Sequence, residues 1–413
     1  MRLGKVPYAG DLGFPGERPG NETEPGLGLA RFTDAGFPWF APVGARILGK
    51  LENVVRDRMQ RAGYAEFRAP AVSRMETVAP AGWLERFGGE LLRLQEPFGS
   101  HILAATSEEP LLSFVGRGGL TSHRQLPMRL FEFREIFRFR DRAQGLYNSR
   151  QFACCLFASL DADHAGYLDS ARHAQRAVRS VLDALDLRAE HVSDESSGGF
   201  EFVFPYERGD RPRSRTIPYH RNPDRPRTED DDTPQGGLAM GYRYEHVEAF
   251  GVGFRDADNV LRTPVMGTYG IGMQRLLIAL LEQHAASAGI AFPACVRPFD
   301  VAVLPVDGSP RVLEAAERVY GELSARGLGV VLDDRANLRL PRRLGLADGY
   351  GVPWRVVVGS ADAESGQAEL RRERGGPAAP GRVTLAELVD ILSARHGEEV
   401  HMTREHGDVL RMA

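Results

Sequence analysis

The chain has 413 residues, of which 42% are hydrophobic and 26% are charged, so it is a globular protein too long for one ordinary domain. The 52 basic residues nearly balance the 56 acidic ones, and the net charge of −4 excludes a general polycation. Lys5 and Lys50 are the only lysines, which leaves 50 arginines. We attribute most of this excess to codon usage, although some guanidinium groups can hold phosphates or carboxylates through two hydrogen bonds.

The cysteines and the N-terminus indicate the compartment. Cys154, Cys155 and Cys295 are few, odd in number and without metal-ligand spacing, so we expect a reducing compartment and no disulfide framework. The first 20 residues contain no apolar segment of signal-peptide length. No run approaches the ~20 apolar residues that a membrane helix needs. These features predict a cytoplasmic protein without a membrane anchor.

The chain as far as residue 291 mixes helices and strands. Residues 1–40 are rich in Gly and Pro and predict an extended arm. A polar, proline-rich stretch over 207–237 predicts an exposed insertion. Apolar periodicity predicts, in chain order, a helix over 42–63, a strand over 64–70, paired antiparallel strands over 126–140 and 150–160, a helix over 166–186, strands over 239–250 and 260–269, and a helix over 272–284.

The stretch 292–300 is typical of a linker, and the pattern of predicted elements changes after it. Strands alternate with an amphipathic helix, and Thr384 and Glu387 form a capping-box pattern before another helix. This spacing predicts a small α/β domain with parallel strand pairing over 298–395, followed by a tail over 396–413. We therefore expect two domains, a mixed α+β domain over 41–291 and this smaller one.

Common nucleotide-binding motifs are absent from the sequence, which has neither a phosphate loop nor a strand-linked G-x-G-x-x-G. The predicted hairpin offers a different solution. Arg138 on its outgoing strand is suited to an α-phosphate, and Phe152 on the return strand is suited to stacking on a base. The alternative is a surface hairpin with solvated arginines.

A glycine-rich strand leads into the helix that begins near residue 272. Gly267, Gly270 and Gly272 remove side chains, so that a ligand can approach the backbone closely. Arg275 falls in the first helical turn, where backbone amides also favour an anion. Tight helix–sheet packing with a solvated Arg275 is the alternative.

The segment TSEE follows an apolar stretch and contains Thr106, Glu108 and Glu109. On a strand, a hydroxyl and a carboxylate two positions apart face the same side and can hold an ammonium group. The alternative is a capping box before the next helix.

The order and spacing of these segments resemble those of class II aminoacyl-tRNA synthetases. The chain is most similar to short bacterial-type prolyl-tRNA synthetases without the large editing insertion. The resemblance lies in GYAEFRAPAV, in LPMRLFEFREIFRFR with GLYNSRQF, in TPVMGTYGIGMQRLL, in TSEE, and in FDVAVLPVD, VVLDDR and VPWRVVVG of the last domain.

This resemblance implies a role for each segment. Pro70 falls in the dimer-forming first motif, Arg138 at the α-phosphate position and Phe152 at the adenine-stacking position. Gly270, Gly272 and Arg275 belong to the third motif, with Arg275 at the γ-phosphate position. The amino-acid pocket would contain Thr106 and Glu108, which bind the prolyl amine, together with Phe200 and Thr268. Metal ligands are not implied.

The sequence also departs from the family pattern. Arg140 occupies the place of an acidic residue, unless Asp141 serves with a shift of one, and an arginine cannot accept hydrogen bonds from an adenine amine. Phe200 replaces a pocket histidine and predicts a more apolar pocket. Glu245 and Ala249 replace a glutamine and a lysine. The stretch ANLRLPRRLG after Arg335 differs from the anticodon-reading segment of the family.

The implied fold class is α+β, a class II antiparallel-sheet catalytic domain followed by a small α/β anticodon-binding-like domain. The implied activity is ATP-dependent activation of proline or a related amino acid and its transfer to tRNA, with ATP and Mg²⁺, by a homodimer. Two alternatives stay open. One is a diverged paralogue with another amino acid or a non-tRNA acceptor, and the other is a non-catalytic binding or regulatory protein.

Overall fold

The computed structural model describes residues 1–3, 29–34, 36–82, 88–95, 97, 99–139, 143, 145–210, 235–286, 289–335, 337–372 and 379–394. Two compact units make up the chain. The first comprises Met1–Arg31, Trp39–Lys50 and Leu280–Ala413, and the second Phe32–Pro38 and Leu51–Ala279. Among the described residues, no helix is both long enough and apolar enough to cross a bilayer.

Strands and helices are mixed along the chain. The strands are β1 (Ala30–Asp34), β2 (Phe37–Phe40), β3 (Ala65–Glu66), β4 (Val72–Arg74), β5 (His101–Leu103), β6 (Met128–Phe137), β7 (Gln151–Asp161), β8 (Glu190–Asp194), β9 (Gly199–Asp210), β10 (Gln235–Tyr244), β11 (Phe254–Arg255), β12 (Leu261–Arg262), β13 (Val265–Gly272), β14 (Ala285–Ala286), β15 (Gly289–Ile290), β16 (Val301–Pro305), β17 (Val330–Leu332), β18 (Trp354–Val358), β19 (Gln367–Arg372) and β20 (Gly381–Thr384). The helices are α1 (Pro42–Arg61), α2 (Met75–Val78), α3 (Glu108–Phe114), α4 (His164–Ala184), α5 (Met273–Gln283), α6 (Pro310–Ala325), α7 (Leu340–Gly349), α8 (Ser360–Ser365) and α9 (385–394).

A seven-stranded sheet organises the second unit. Its strand order is β3-β6-β7-β13-β10-β9-β8. All pairings are antiparallel except the short β3–β6 pair, which is parallel. The hairpin predicted from the sequence is therefore confirmed as β6–β7, between the edge strand β3 and the central strand β13. It positions the residues on either side of its connecting turn.

One face of this sheet carries a band of aromatic rings. Tyr269 on β13 lies 5.0 Å from Phe157 on β7 and 5.8 Å from Phe200 on β9, measured between ring centroids. Helix α4 packs against β7, β10 and β13, and its Ser170 hydroxyl donates to Asp161 at 2.7 Å. Because side chains alternate along a strand, the residues between these rings point to the opposite face.

Helix α4 begins two residues earlier than the apolar periodicity predicts. The Asp163 carboxylate accepts a hydrogen bond from the Gly166 amide at 2.8 Å and caps the helix. Such a cap satisfies one of the amides that the first helical turn leaves without an internal partner.

The first unit contains a smaller, five-stranded sheet with the order β17-β16-β18-β19-β20. The pairings β16–β17 and β16–β18 are parallel, as predicted. Two antiparallel strands, β19 and β20, extend this sheet and were not predicted, nor was α7. The predicted capping box is present, because the Glu387 carboxylate accepts from the Thr384 amide and hydroxyl at 2.8 Å each.

Some predictions concern segments outside the described residues. They include most of the arm over 1–40, of which 4–28 and 35 are not described, and the tail over 396–413. The ends of the predicted insertion over 207–237 are strands rather than loop, because β9 continues to Asp210 and β10 begins at Gln235. The rest of that insertion lies outside the described residues.

Because the aromatic band is tightly packed, we expect a side chain added beneath it to lower the stability of the protein. A Cβ on Gly241 would lie 2.3 Å from Tyr269 Cδ1 and 2.6 Å from Phe200 Cε1. We expect Gly241→Ala to lower the free energy of unfolding by about 1–3 kcal/mol through overpacking, measured by urea denaturation. As the control, Gly49→Ala in α1, where a Cβ meets nothing within 4 Å, should be neutral or stabilise by up to ~1 kcal/mol. Equal effects of the two changes would contradict this account.

Candidate active site

A cavity of about 250 Å³ lies on the sheet face opposite the aromatic band. The central antiparallel strands β7, β13 and β10 form its floor, and α3, β9 and the segment that connects β6 to β7 contribute to its walls. It brings together eight of the ten residues that the sequence predicts for the site, namely Thr106, Glu108, Arg138, Phe152, Thr268, Gly270, Gly272 and Arg275. Phe200 and Pro70 do not line it.

Arg138 and Phe152 face each other across the β6–β7 hairpin. The Arg138 amide donates to the Arg150 carbonyl at 2.8 Å and so continues the ladder one residue beyond β6. The Arg138 guanidinium carbon lies 6.0 Å from the centre of the Phe152 ring, and its Nε donates to the Ala105 carbonyl at 3.1 Å. A cation and an aromatic face thus flank the same part of the cavity.

Arg275 lies in the first turn of α5, as predicted, and its side chain is fixed by neutral groups. Its Nη1 donates to the Gly237 carbonyl at 3.1 Å, and its Nε donates to the Tyr147 carbonyl at 3.4 Å. The Tyr147 ring centre lies 4.5 Å from its guanidinium carbon. Because a guanidinium carries a positive charge, Arg275 makes this wall of the cavity cationic.

Glycines give the site its shape near Arg275. A Cβ on Gly237 would lie 2.9 Å from the Glu201 carboxylate and 3.3 Å from Arg275 Nη1. A Cβ on Gly272 would lie 3.1 Å from Arg275 Cδ. The absence of side chains at both positions leaves room for these charged groups.

The TSEE segment begins a helix and does not form the strand on which its ammonium-binding geometry was argued. Glu108 is the first residue of α3. Its carboxylate accepts from the Thr268 hydroxyl at 2.8 Å, and the Thr106 hydroxyl donates to Glu109. Thr106 and Glu108 nevertheless both line the cavity, because the helix begins at its edge. The alternative capping box is realised only in this Thr106–Glu109 contact, since no side chain caps α3.

Two buried carboxylates therefore lie side by side in the cavity wall. Glu109 also accepts from the Tyr244 hydroxyl at 2.6 Å. Burial, and secondly the neighbouring charge of Glu108, raise the pKa of Glu109 to about 7. A cationic ligand between them would relieve this repulsion, which makes the pair suited to an ammonium group.

Phe200 does not lie in the cavity, contrary to the prediction. It is 1% exposed and belongs to the aromatic band on the helix face, stacked on Tyr269. Its neighbour Glu201 lines the cavity instead. The alternation of side chains along β9 explains the difference, since adjacent residues of a strand point to opposite faces.

Pro70 lies outside the cavity on an exposed segment but is tied to its wall. The buried Glu132 carboxylate on β6 accepts from Arg134 Nη1 at 3.1 Å, from the Ala69 amide at 2.9 Å and from the Ser107 hydroxyl. Arg134 Nη2 in turn donates to the Pro70 carbonyl at 2.8 Å. One ion pair thus connects the Pro70 segment to the residue that precedes Glu108.

Sequence reasoning assigned no role to several residues that line the cavity. They are Tyr147, Glu201, Tyr242, Tyr244 and Gln274. Gln274 accepts the Ala153 amide at 2.8 Å and ties α5 to β7. Period-two alternation around the known positions could have found those on strands. Tyr147 gave no signal, because it lies in a turn.

Arg140 and Asp141, which bear on the adenine site, lie outside the described residues. In the ranges that the structure describes, no three His, Cys, Asp or Glu side chains come together as a metal centre requires. Cys154, Cys155 and Cys295 form no disulfide in these ranges, and burial raises the pKa of Cys155 well above its usual value.

Comparison with known proteins shows similarity to one family model and to proteins of known activity. The sequence model of a family described as "Anticodon binding domain" matches residues 300–395. The chain is 29% identical over 395 residues to a proline–tRNA ligase of Nitrobacter winogradskyi, covering 84% of this chain and 90% of that protein. It is 28% identical over 421 residues to one from Methylobacterium sp. strain 4-46, covering 89% and 92%.

Solved structures show the same fold. Prolyl-tRNA synthetase from Cryptosporidium parvum, complexed with halofuginone and AMPPNP, superimposes with a TM-score of 0.66 at 15% identity, over 92% of this chain and 76% of that one. Giardia lamblia prolyl-tRNA synthetase in complex with prolyl-adenylate gives 0.66 at 17% identity, over 90% and 78%.

The fold and the similarity along the chain define a class II aminoacyl-tRNA synthetase-like protein with an α+β architecture. Within that class the chain is prolyl-tRNA synthetase-like. The resemblance and the fold class drawn from the sequence are thereby confirmed.

The pair Glu108–Glu109 generates a pH-dependent prediction. The pKa of about 7 exceeds the ordinary value of 4.5, so Glu109 binds its proton more tightly in the folded state. Its contribution to stability is complete below about pH 4.5 and is lost as the pH rises through 7. Relative to wild type, Glu109→Gln should therefore gain about 2 kcal/mol in unfolding free energy between pH 5 and pH 8, measured by chemical denaturation at each pH.

The control for this experiment is Glu76→Gln, whose side chain is 73% exposed. It should change the unfolding free energy by the same small amount at both pH values. If Glu109→Gln and wild type follow parallel pH profiles, Glu109 does not titrate as described.

Proposed function

We propose that this protein activates proline or a related amino acid with ATP to an aminoacyl-adenylate and transfers it to tRNA. The observation that carries the proposal is that Arg138, Phe152 and Arg275 line the same cavity as the Glu108–Glu109 pair. These residues can bind an anion, an aromatic base and an ammonium group in one cavity. The proline–tRNA ligases to which the chain is similar support the reaction.

In this proposal the amino acid and ATP react without a protein nucleophile. The carboxylate oxygen of the amino acid forms a bond to the α-phosphorus while the bond from that phosphorus to the bridging oxygen breaks, and pyrophosphate leaves. Arg138 stabilises charge on the α-phosphate, and Arg275 holds the γ-phosphate end that departs. The protein contributes positioning and electrostatic stabilisation.

The amine end of the substrate is assigned to Thr106, Glu108 and Thr268. The buried carboxylates supply negative charge, and their hydroxyl partners fix its direction. The adenine is assigned to the Phe152 ring, and the phosphates pass over Gly270 and Gly272. Phe200 supports this pocket only from behind, through Tyr269.

Mg²⁺ fits this site as a companion of the nucleotide. Magnesium commonly uses one or two carboxylates together with substrate phosphates and keeps several waters. Glu201, whose carboxylate lies beside Gly237 and near Arg275, is the residue that would hold it, and the ion would offset negative charge on the phosphates. The side chains of the protein, and not the metal ion, position the substrates in this proposal.

We assign residues 41–291 to catalysis and residues 298–395 to anticodon binding, consistent with the family match over 300–395. A homodimer formed through the Pro70 segment completes the proposal. The contact of Arg134 with the Pro70 carbonyl would then connect the dimer interface to the amino-acid pocket.

A second candidate is an adenylate-forming paralogue with another amino acid or a non-tRNA acceptor. Two sequence features favour it, Arg140 at the acidic position and the changed stretch over 336–345. A non-catalytic synthetase-fold protein would leave the charged groups of the cavity without a role.

Amino-acid-dependent ATP–pyrophosphate exchange separates these functions. The assay is run with a panel of amino acids that includes proline, with and without tRNA. We expect exchange with proline and charging of tRNA. Exchange without charging would favour the paralogue, and no exchange with any amino acid would exclude both enzymatic functions.

The phosphate assignment predicts a large loss on removing Arg275. Arg275→Ala should lower the exchange rate by about 100-fold or more, because a preorganised charge at the leaving group is lost. The matched control is Arg172→Ala, an exposed arginine on α4, which should retain the wild-type rate. Survival of activity in Arg275→Ala, with an unchanged melting temperature, would show that the phosphate assignment is wrong.

A further inference from the structure

Tyr147 meets the Arg275 side chain in two ways. It lies in the turn between β6 and β7, and only 7% of it is exposed. Its ring centre is 4.5 Å from the guanidinium carbon, and its carbonyl accepts from Nε at 3.4 Å. The ring and the backbone of one residue therefore hold the same guanidinium.

A closed set of hydrogen bonds fixes this arrangement to strand β10. The Gly237 amide donates to the Tyr147 hydroxyl at 3.1 Å, and the Gly237 carbonyl accepts from Arg275 Nη1 at 3.1 Å. A Cβ on Gly237 would approach Nη1 to 3.3 Å. Both side chains are thus hydrogen-bonded to Gly237, Tyr147 to its amide and Arg275 to its carbonyl.

Tyr206 supports Tyr147 from the neighbouring strand. Their ring centres are 5.3 Å apart with a tilt of 48°, and Tyr206 itself stacks on Phe204 at 5.6 Å. This row of rings keeps the Tyr147 ring in place, so that the turn presents it to Arg275 in a fixed orientation.

We propose that Tyr147 is a positioning residue that preorganises Arg275 for the polyphosphate of the nucleotide. An arginine that must be ordered when its ligand arrives loses rotamer freedom on binding, whereas one that is already held does not. Tyr147 therefore acts on nucleotide affinity through Arg275, and the amino-acid end of the cavity is unaffected. The identity of the anion rests on the proposed function.

A double-mutant cycle tests this role. Tyr147→Ala, Arg275→Ala and the double variant are compared by calorimetric titration with ATP and by ATP–pyrophosphate exchange. Tyr147→Ala should raise the ATP Kd about tenfold and leave the KM for proline within about twofold. In the Arg275→Ala background the same change should alter the ATP Kd by less than about twofold, because the two residues act as one unit.

Two further variants control for structure. Tyr147→Phe keeps the ring and the carbonyl and should bind ATP within about threefold of wild type. Tyr167→Phe removes a comparable hydroxyl bond, to the Ser197 carbonyl at 2.9 Å. Tyr167 lies on α4 and does not line the cavity, so this change should leave ATP binding unchanged. If Tyr147→Ala does not fold, Tyr147→Leu carries the same cycle.

The outcomes separate this inference from the proposed function. Equal losses of ATP affinity with and without Arg275 would overturn it, because Tyr147 would then act on the nucleotide directly. Absence of exchange in the wild-type protein would contradict the enzymatic function, but the calorimetric cycle would still show whether the two residues are coupled.

Discussion

The constraint on which the site depends is the alternation of side chains along the antiparallel strands. On β13, Thr268, Gly270 and Gly272 face the cavity, while Tyr269 between them faces the helix layer. The same alternation places Leu156 in the cavity and Phe157 in the aromatic band. The helix face carries the packed rings with few polar groups, such as the Ser159 hydroxyl, which lies 3.2 Å from the Tyr269 hydroxyl, and the charged cavity residues lie on the other face.

Negative charge in the cavity is stabilised by hydroxyl groups. Thr268 donates to Glu108, and Thr106 and Tyr244 donate to Glu109. Hydroxyl donors reduce the cost of burying a carboxylate without neutralising it. The raised pKa of Glu109 shows that this compensation is partial, and a cationic ligand would complete it. The buried carboxylate of Glu132 differs because Arg134 neutralises it, which suits a structural link between segments.

The sequence allowed the β6–β7 hairpin, the α5 helix and eight cavity residues to be predicted, because alternation, glycine spacing and the family resemblance agree at those positions. The prediction was wrong where a local sequence pattern is compatible with two structures. TSEE suits a strand or a helix start equally, and packing of α3 decides for the helix. Phe200 was placed by analogy, although its strand position one residue from Glu201 directs it to the helix face. Tyr147 could not be predicted, since its role arises from contacts with residues about 90 and 130 positions away.

The partners of Arg335 and Arg355 differ in charge from those of Arg275. In the smaller sheet domain, Arg335 forms two bonds with Asp333 at 2.7 and 2.8 Å, and Arg355 pairs with Asp348. These buried guanidiniums are neutralised by carboxylates and so contribute to the structure of that domain. Arg275 instead bonds to carbonyl oxygens and stacks on Tyr147. Such neutral partners fix its direction and leave its charge available at the cavity wall, which is the physical requirement for holding a phosphate.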